Sequence, residues 1–207
     1  MGHDAKTLMQ RLYPAIVDDS VYTIPQHEFK KEFRNGEYAP TYGELSFEGV
    51  EALLTHALGS MHEGVEPVFV DLGSGLGKVC MQAAITQKFS RVVGVELSGS
   101  RHALAMKALS QLELINSQAA GRVQMVSGDI LAQSLAFPSP TVIFCANLTF
   151  NSNVIAMIAQ KCIAELHAGS VIYSQREFAS QAGLDRKSDI TVGTSWSPAT
   201  PLYVYIR

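Results

Sequence analysis

The chain has 207 residues, 47% of them hydrophobic, and a formal net charge of −3. That length supports one domain with a substantial core and a small attached lobe. The mildly acidic total, with no basic run longer than Lys30–Lys31, excludes a broad basic field that would hold nucleic acid non-specifically.

The first 45 residues mix aromatics, charges and prolines without a clear period, and are expected to form a small helical or irregular N-terminal lobe. Residues 46–207 are expected to form the main domain. It opens with a helix over 46–61, where apolar residues recur at helical spacing, Ser46 suits the N-cap and Glu48 the first turn. Short apolar runs then alternate with helical patterns. Strands are predicted at 67–72, 91–97, 122–129, 141–147 and 170–175, with helices at 77–87, 100–116 and 154–166. Such alternation implies crossover units and a mostly parallel, doubly wound sheet. The segments DITVGTSW and PLYVYIR have no long helix between them and read as an antiparallel pair at the sheet edge. Seven strands in all are expected.

The start, MGHDAKTLMQRL, lacks the apolar stretch of a signal peptide, and no apolar run approaches the ~20 residues of a membrane-spanning helix. An intracellular protein without membrane attachment is expected. Cys80, Cys145 and Cys162 are scattered through apolar patterns and read as reduced core residues. The six histidines show no ligand spacing, so no metal is expected.

VFVDLGSGLGKV places Gly73, Gly75 and Gly77 between a strand and a helix. A glycine turn before a helix N-terminus lets backbone approach a ligand. Alone, it fits a mononucleotide loop, a dinucleotide loop or a structural turn. The acids narrow the choice. Asp71 precedes the glycines, where a carboxylate would repel pyrophosphate and suit an ammonium group. Glu96 ends the second strand, where an acid can accept ribose hydroxyls. Asp129 ends the third and can accept from an exocyclic amine. S-adenosylmethionine, with its amino acid, unphosphorylated ribose and adenine, fits all three. The plainer readings are a surface charge at Glu96 and a turn residue at Asp129.

The fourth strand, TVIFCANLTF, ends on Asn147 and Phe150. Asn147 is either a group presented to the crevice or the N-cap of the following helix.

PTYGELSFEGV, VFVDLGSGLGKVCMQAA, VVGVELS, GDI, VIFCANLTF, AGSVIYSQREF and GTSWSPATPLYVYI together resemble the disruptor of telomeric silencing (Dot-type, non-SET) histone-lysine methyltransferases, over roughly residues 38–207. The specific parts are TYGE, the ends of NLTF, and the Ser-Trp and Pro near the C-terminus. The resemblance implies a class I, Rossmann-like methyltransferase fold. It implies that Tyr42, Gly43 and Glu44 lie in a loop closing over the methyl donor. It gives Asp71, Gly73 and Gly75 to the donor's methionine part, Glu96 to its ribose, and Asp129 with Ile130 to its adenine. Asn147 and Phe150 would lie beside the transferring methyl, and Trp196 would line the lysine channel. Lys78 stands where several members have Gln, beside the donor's carboxyl end. The channel tyrosine of other members falls here on Val204 or Tyr205.

On this reading the Asn147 carbonyl would orient the attacking amine and Phe150 would face the sulfonium. A dry channel would favour the neutral lysine. The implied acceptor is a core histone in the nucleosome, in the nucleus; contact with the nucleosome would come from a partner subunit or from a surface patch scattered in sequence. Trp196 and Tyr42 also admit simpler readings, as a packed aromatic and an anchor for the lobe. NLTF lacks the two prolines of enzymes that methylate adenine or glutamine amides. The alternatives are methylation of another amine, on a non-histone protein or a nucleic-acid base, and a donor-binding subunit without catalysis.

Overall fold

A computed structural model describes residues 5–14, 24, 25, 28, 43–62, 64–179 and 183–207. Most of the expected N-terminal lobe, Tyr42 included, lies outside the described residues. Within them the chain forms, in order, α1 (Ala5–Leu12), α2 (Phe47–Gly59), β1 (Val68–Leu72), α3 (Lys78–Ile85), β2 (Arg91–Glu96), α4 (Gly99–Ile115), α5 (Ser117–Ala120), β3 (Val123–Ser127), β4 (Thr141–Cys145), α6 (Ser152–Glu165), β5 (Val171–Ser174), β6 (Asp185–Arg186), β7 (Ile190–Val192) and β8 (Thr200–Ile206).

The strands lie in the order β3-β2-β1-β4-β5-β8-β6, with β7 also paired to β8. The first five are parallel, and β8 runs antiparallel to β5, β6 and β7. The sheet has eight strands where seven were expected. The added one, β6, has two exposed residues, too few to show a period. The predicted 189–196 strand shortens to three residues, because the chain turns at Gly193 to meet α2 and the 43–46 segment. β8 is not itself an edge strand: β5 flanks it on one side, β6 and β7 on the other.

Alternation sorts the strand side chains onto two faces. Phe69, Val92, Val142, Phe144, Val171 and Tyr173 pack with α1 to α4. Val70, Leu72, Val93, Val95, Ile143, Cys145 and Ile172 pack with α6, through Val154, Ile155, Ile158 and Cys162. Two apolar faces account for the near-continuous apolar strands. The cysteines are free and buried. Caps fix the helix starts: Ser46 accepts from Gly49 N–H, Ser98 from Arg101 N–H and Asn151 from Val154 N–H. Asn147 is therefore not the cap of α6. Among the described residues no helix is long and apolar enough to cross a membrane.

The chain runs outward from β1 through β2 to β3 and returns to β4 beside β1. That reversal opens a crevice beyond the C-terminal ends of β1 and β4.

Candidate active site

A cavity of about 210 Å³ fills this crevice. Its wall includes Glu44, Asp71, Gly73, Gly75, Lys78, Glu96, Asp129, Ile130, Phe150 and Trp196. The fold thus gathers these ten residues proposed from sequence, and Gly43 with them. Tyr42 lies outside the described residues, and Asn147 is not part of the wall.

The glycine turn follows from backbone geometry. Gly73, Gly75 and Gly77 have φ of 91°, 54° and 79°, a region that disfavours a Cβ. Gly73 and Ser74 N–H both donate to Val95 O at 2.9 Å, which folds the turn onto the end of β2. Glu96 Oε2 accepts from Gly75 N–H at 2.7 Å and Oε1 from Ser98 N–H at 2.8 Å. Glu96 is therefore a buried brace of the turn and no surface charge. Asp129 Oδ1 accepts from Leu131 N–H at 2.8 Å, a local turn bond made by a residue that also lines the cavity.

Asp71 is 2% exposed, and its Oδ1 has no hydrogen-bond partner among the described residues. Burial, and then the nearby Glu96 charge, push its carboxyl up to about 8, against a weak bond from the Cys80 thiol 3.9 Å away. Burial also raises Glu96, opposed by the Ser98 and Gly75 N–H groups. A cavity with such an acid in its wall favours a cation.

The rim is made by contacts distant in sequence. Ser46 N–H donates to Gly193 O, Ser195 N–H donates to Glu44 O, and Leu45 bridges Thr194. Trp196 lies on the backbone at Gly43, where an added Cβ would sit 2.3 Å from the ring. At 49% exposed, Trp196 is a rim residue and no packed core aromatic. Lys78 Nζ reaches Glu44 Oε2 at 2.5 Å and lies 5.4 Å from the Tyr13 ring centroid.

The model of the family "Histone methylation protein DOT1" matches residues 21–194. The chain belongs to this family. The resemblance carried by TYGE, NLTF and the C-terminal Ser-Trp is borne out. Two curated relatives bear the name "Histone-lysine N-methyltransferase, H3 lysine-79 specific". That of Caenorhabditis elegans is 29% identical over 147 residues, 68% of this chain and 15% of its own length. That of Drosophila melanogaster is 27% identical over 180 residues, 83% of this chain and 9% of its own length. The chain thus spans a small part of these relatives. Among solved structures, magnesium protoporphyrin IX methyltransferase from Synechocystis PCC 6803, with bound SAM, superposes with a TM-score of 0.58 at 13% identity. The match covers 100% of this chain and 98% of that one. It is a likeness of fold, and it bears out the class I methyltransferase architecture.

The DOT1-family site also contains residues that the sequence did not single out. Ser74, Leu97, Arg101, Leu148, Thr149 and Gln175 join the wall. Ser74 and Gln175 carried a usable signal, a polar residue at the edge where parallel strands end. Arg101 and Leu148 did not, because their spacing suits an ordinary helix and loop. Asn147 is fully buried. Its Nδ2 donates to Ser174 Oγ at 2.8 Å, and its Oδ1 accepts from Arg176 N–H at 2.9 Å and from Ser174 Oγ at 3.1 Å. Tyr205 OH accepts from Phe178 N–H at 2.8 Å, and Val204 is buried in the core; neither is part of the cavity wall.

Proposed function

We propose that the protein transfers a methyl group from S-adenosylmethionine to a lysine amine of a core histone. Histone H3 is favoured, because the curated relatives are named for it. The observation that carries this reading is Asp71, a buried carboxylate with an unpartnered oxygen in the cavity wall. The donor's ammonium would pair it; Ser74 Oγ, also buried and without a partner among the described residues, lines the same cavity. Gly73 and Gly75 would admit the methionine part. Glu96 accepts one N–H at each oxygen, which leaves lone pairs for ribose hydroxyls. Asp129 and Ile130 would hold the adenine. The segment carrying Glu44, tied by an ion pair to Lys78 at the start of α3, would cover the donor, with Tyr42 and the 1–45 lobe as part of the cover over the 46–207 catalytic domain.

The donor supplies an electrophilic methyl on a sulfonium. The chain's part is placement. Phe150, whose ring tip lies near Gly73, would stand beside that cationic centre. Trp196 and Leu148 border an apolar mouth for the acceptor. An apolar surround lowers the lysine pKa and frees its lone pair. Asn147 fixes the β4–β5 edge on which the acceptor would rest. The nucleus is the matching compartment, with a partner subunit supplying nucleosome contact that an acidic chain does not. No metal role enters this reading.

The test is transfer from labelled S-adenosylmethionine to nucleosomes, free histones and nucleic acid in parallel. Label on histone H3, lost in Asp71→Asn, is expected. Label on nucleic acid, or none with donor bound, would overturn the acceptor assignment.

A further inference from the structure

The cavity has a polarity set by strand order. Asp129 follows β3, Glu96 ends β2, Asp71 lies near the end of β1, Ala146 follows β4 and Gln175 follows β5. All five line one cavity. The acids suited to adenine, ribose and ammonium occupy its β3–β1 end. Gln175 stands at the opposite end, beside the loop that carries Trp196 into β8, the strand paired with β5.

Gln175 is 4% exposed, and among the described residues neither its Nε2 nor its Oε1 makes a hydrogen bond, so the carbonyl as well as the N–H group is open to a ligand. A buried, unpaired amide in a cavity wall has a desolvation cost that a ligand would relieve. Its neighbours in the chain are fixed. Ser174 and Arg176 are both bonded to the Asn147 amide, and Gln175 N–H donates to Cys145 O at 3.3 Å. The amide of Asn147 is thus consumed in holding the turn, and that of Gln175 is the one offered to the cavity.

We propose that Gln175 is the amide that positions the acceptor amine, with Asn147 acting through it as a positioning residue. This rests on the methyl-transfer reading. The Gln175 carbonyl accepts one N–H of the neutral amine and turns its lone pair toward the methyl carbon. The N–C bond forms from that lone pair, the C–S pair returns to sulfur, and the product leaves as a methylammonium and a thioether. A neutral amide suits this task, because a carboxylate would stabilise the protonated amine and withhold the lone pair.

The informative variant is Gln175→Met, which keeps the volume and removes the amide. Four readouts are needed: methyl transfer to nucleosomes, affinity for S-adenosylhomocysteine, the melting temperature, and the fluorescence of Trp196, the single tryptophan, as n-butylamine is titrated into the S-adenosylhomocysteine complex at about pH 9. The expected result is kcat lowered roughly tenfold or more, donor affinity and melting temperature maintained, and a weakened n-butylamine response. Gln175→Glu should retain donor binding and shift the pH–rate profile to higher pH. Unchanged kcat and n-butylamine response in Gln175→Met would overturn the proposal, as would a loss confined to donor affinity. A parent that transfers no methyl, yet responds to n-butylamine in a way Gln175→Met weakens, would leave the proposal standing and remove the methyl-transfer reading. A parent with neither response would overturn both.

Discussion

The two ends of the cavity are built by different means. At the β1–β2 end, Asp71, the glycine turn and Glu96 lie within one crossover unit and are joined by local backbone bonds. Their positions follow from one strand, one turn and one helix. At the β4–β5 end, four separated segments converge: 43–46, 146–150, 174–176 and 193–196. The bond from Glu44 N–H to Ser195 Oγ joins residues 151 apart in sequence. At the first end a buried acid is left with one oxygen unpartnered among the described residues. The second holds its shape by interlocking hydrogen bonds and a ring laid on a glycine. Damage should therefore separate: charge changes at one end alter donor binding, and packing changes at the other alter acceptor handling.

Asp71→Asn should break the first end most severely. Donor affinity is expected to fall by roughly two orders of magnitude or more, since a buried ion pair loses its anion. Folding of the ligand-free chain should respond in the opposite sense. Asp71 has a folded pKa of about 8, above the ordinary aspartate value of 3.8, so the folded state retains a proton that the unfolded state has lost. Its contribution to stability is therefore full at low pH and declines as pH rises from about 4 to about 8. Asp71→Asn should flatten that slope in denaturant titrations across this range. Donor binding at neutral pH should release a proton in the parent and none from this site in the variant. Calorimetry in buffers of differing ionisation enthalpy measures it, and equal release would refute the assignment.

Asn147→Ala should loosen the second end. It removes a fully buried amide that bonds Ser174 and Arg176, at a cost of about 2–3 kcal/mol. The melting temperature should drop, and transfer should fall more than donor affinity does. If donor affinity falls as far as transfer, the two ends are not separable.

Gly43→Ala should be milder and more local. The added Cβ meets the Trp196 ring at 2.3 Å, so the ring must move. Because Trp196 is half exposed, displacement should cost about 1 kcal/mol or less in stability. The expected readouts are a raised acceptor KM and a shifted tryptophan emission. The smallest effect should come from Lys78→Gln. It removes the partly exposed pair with Glu44, worth about 0.5–1 kcal/mol. Donor affinity should weaken a few-fold, and the loss should shrink in high salt. A larger, salt-independent loss would mean that Lys78 touches the donor directly.

The same division governs what could be read from the chain alone. The order of strands and helices, the crossover architecture and the donor-side acids follow from period, glycine placement and residues within about 60 positions of one another. β6 was invisible because two exposed residues carry no pattern. Trp196 was named, but its seat on Gly43 depends on a contact spanning most of the chain.

Local periodicity and turn chemistry dictate the parallel sheet, the crevice at its reversal and the acids along one side, so these could be read from the residues alone. Three-dimensional packing was needed to show that Glu96 braces the glycine turn, that Asn147 is bonded inside the β4–β5 edge and that Gln175 lines the cavity. Those outcomes depend on which buried polar group finds a partner. A buried amide that finds two neighbours becomes structure, and one that finds none remains available to a ligand.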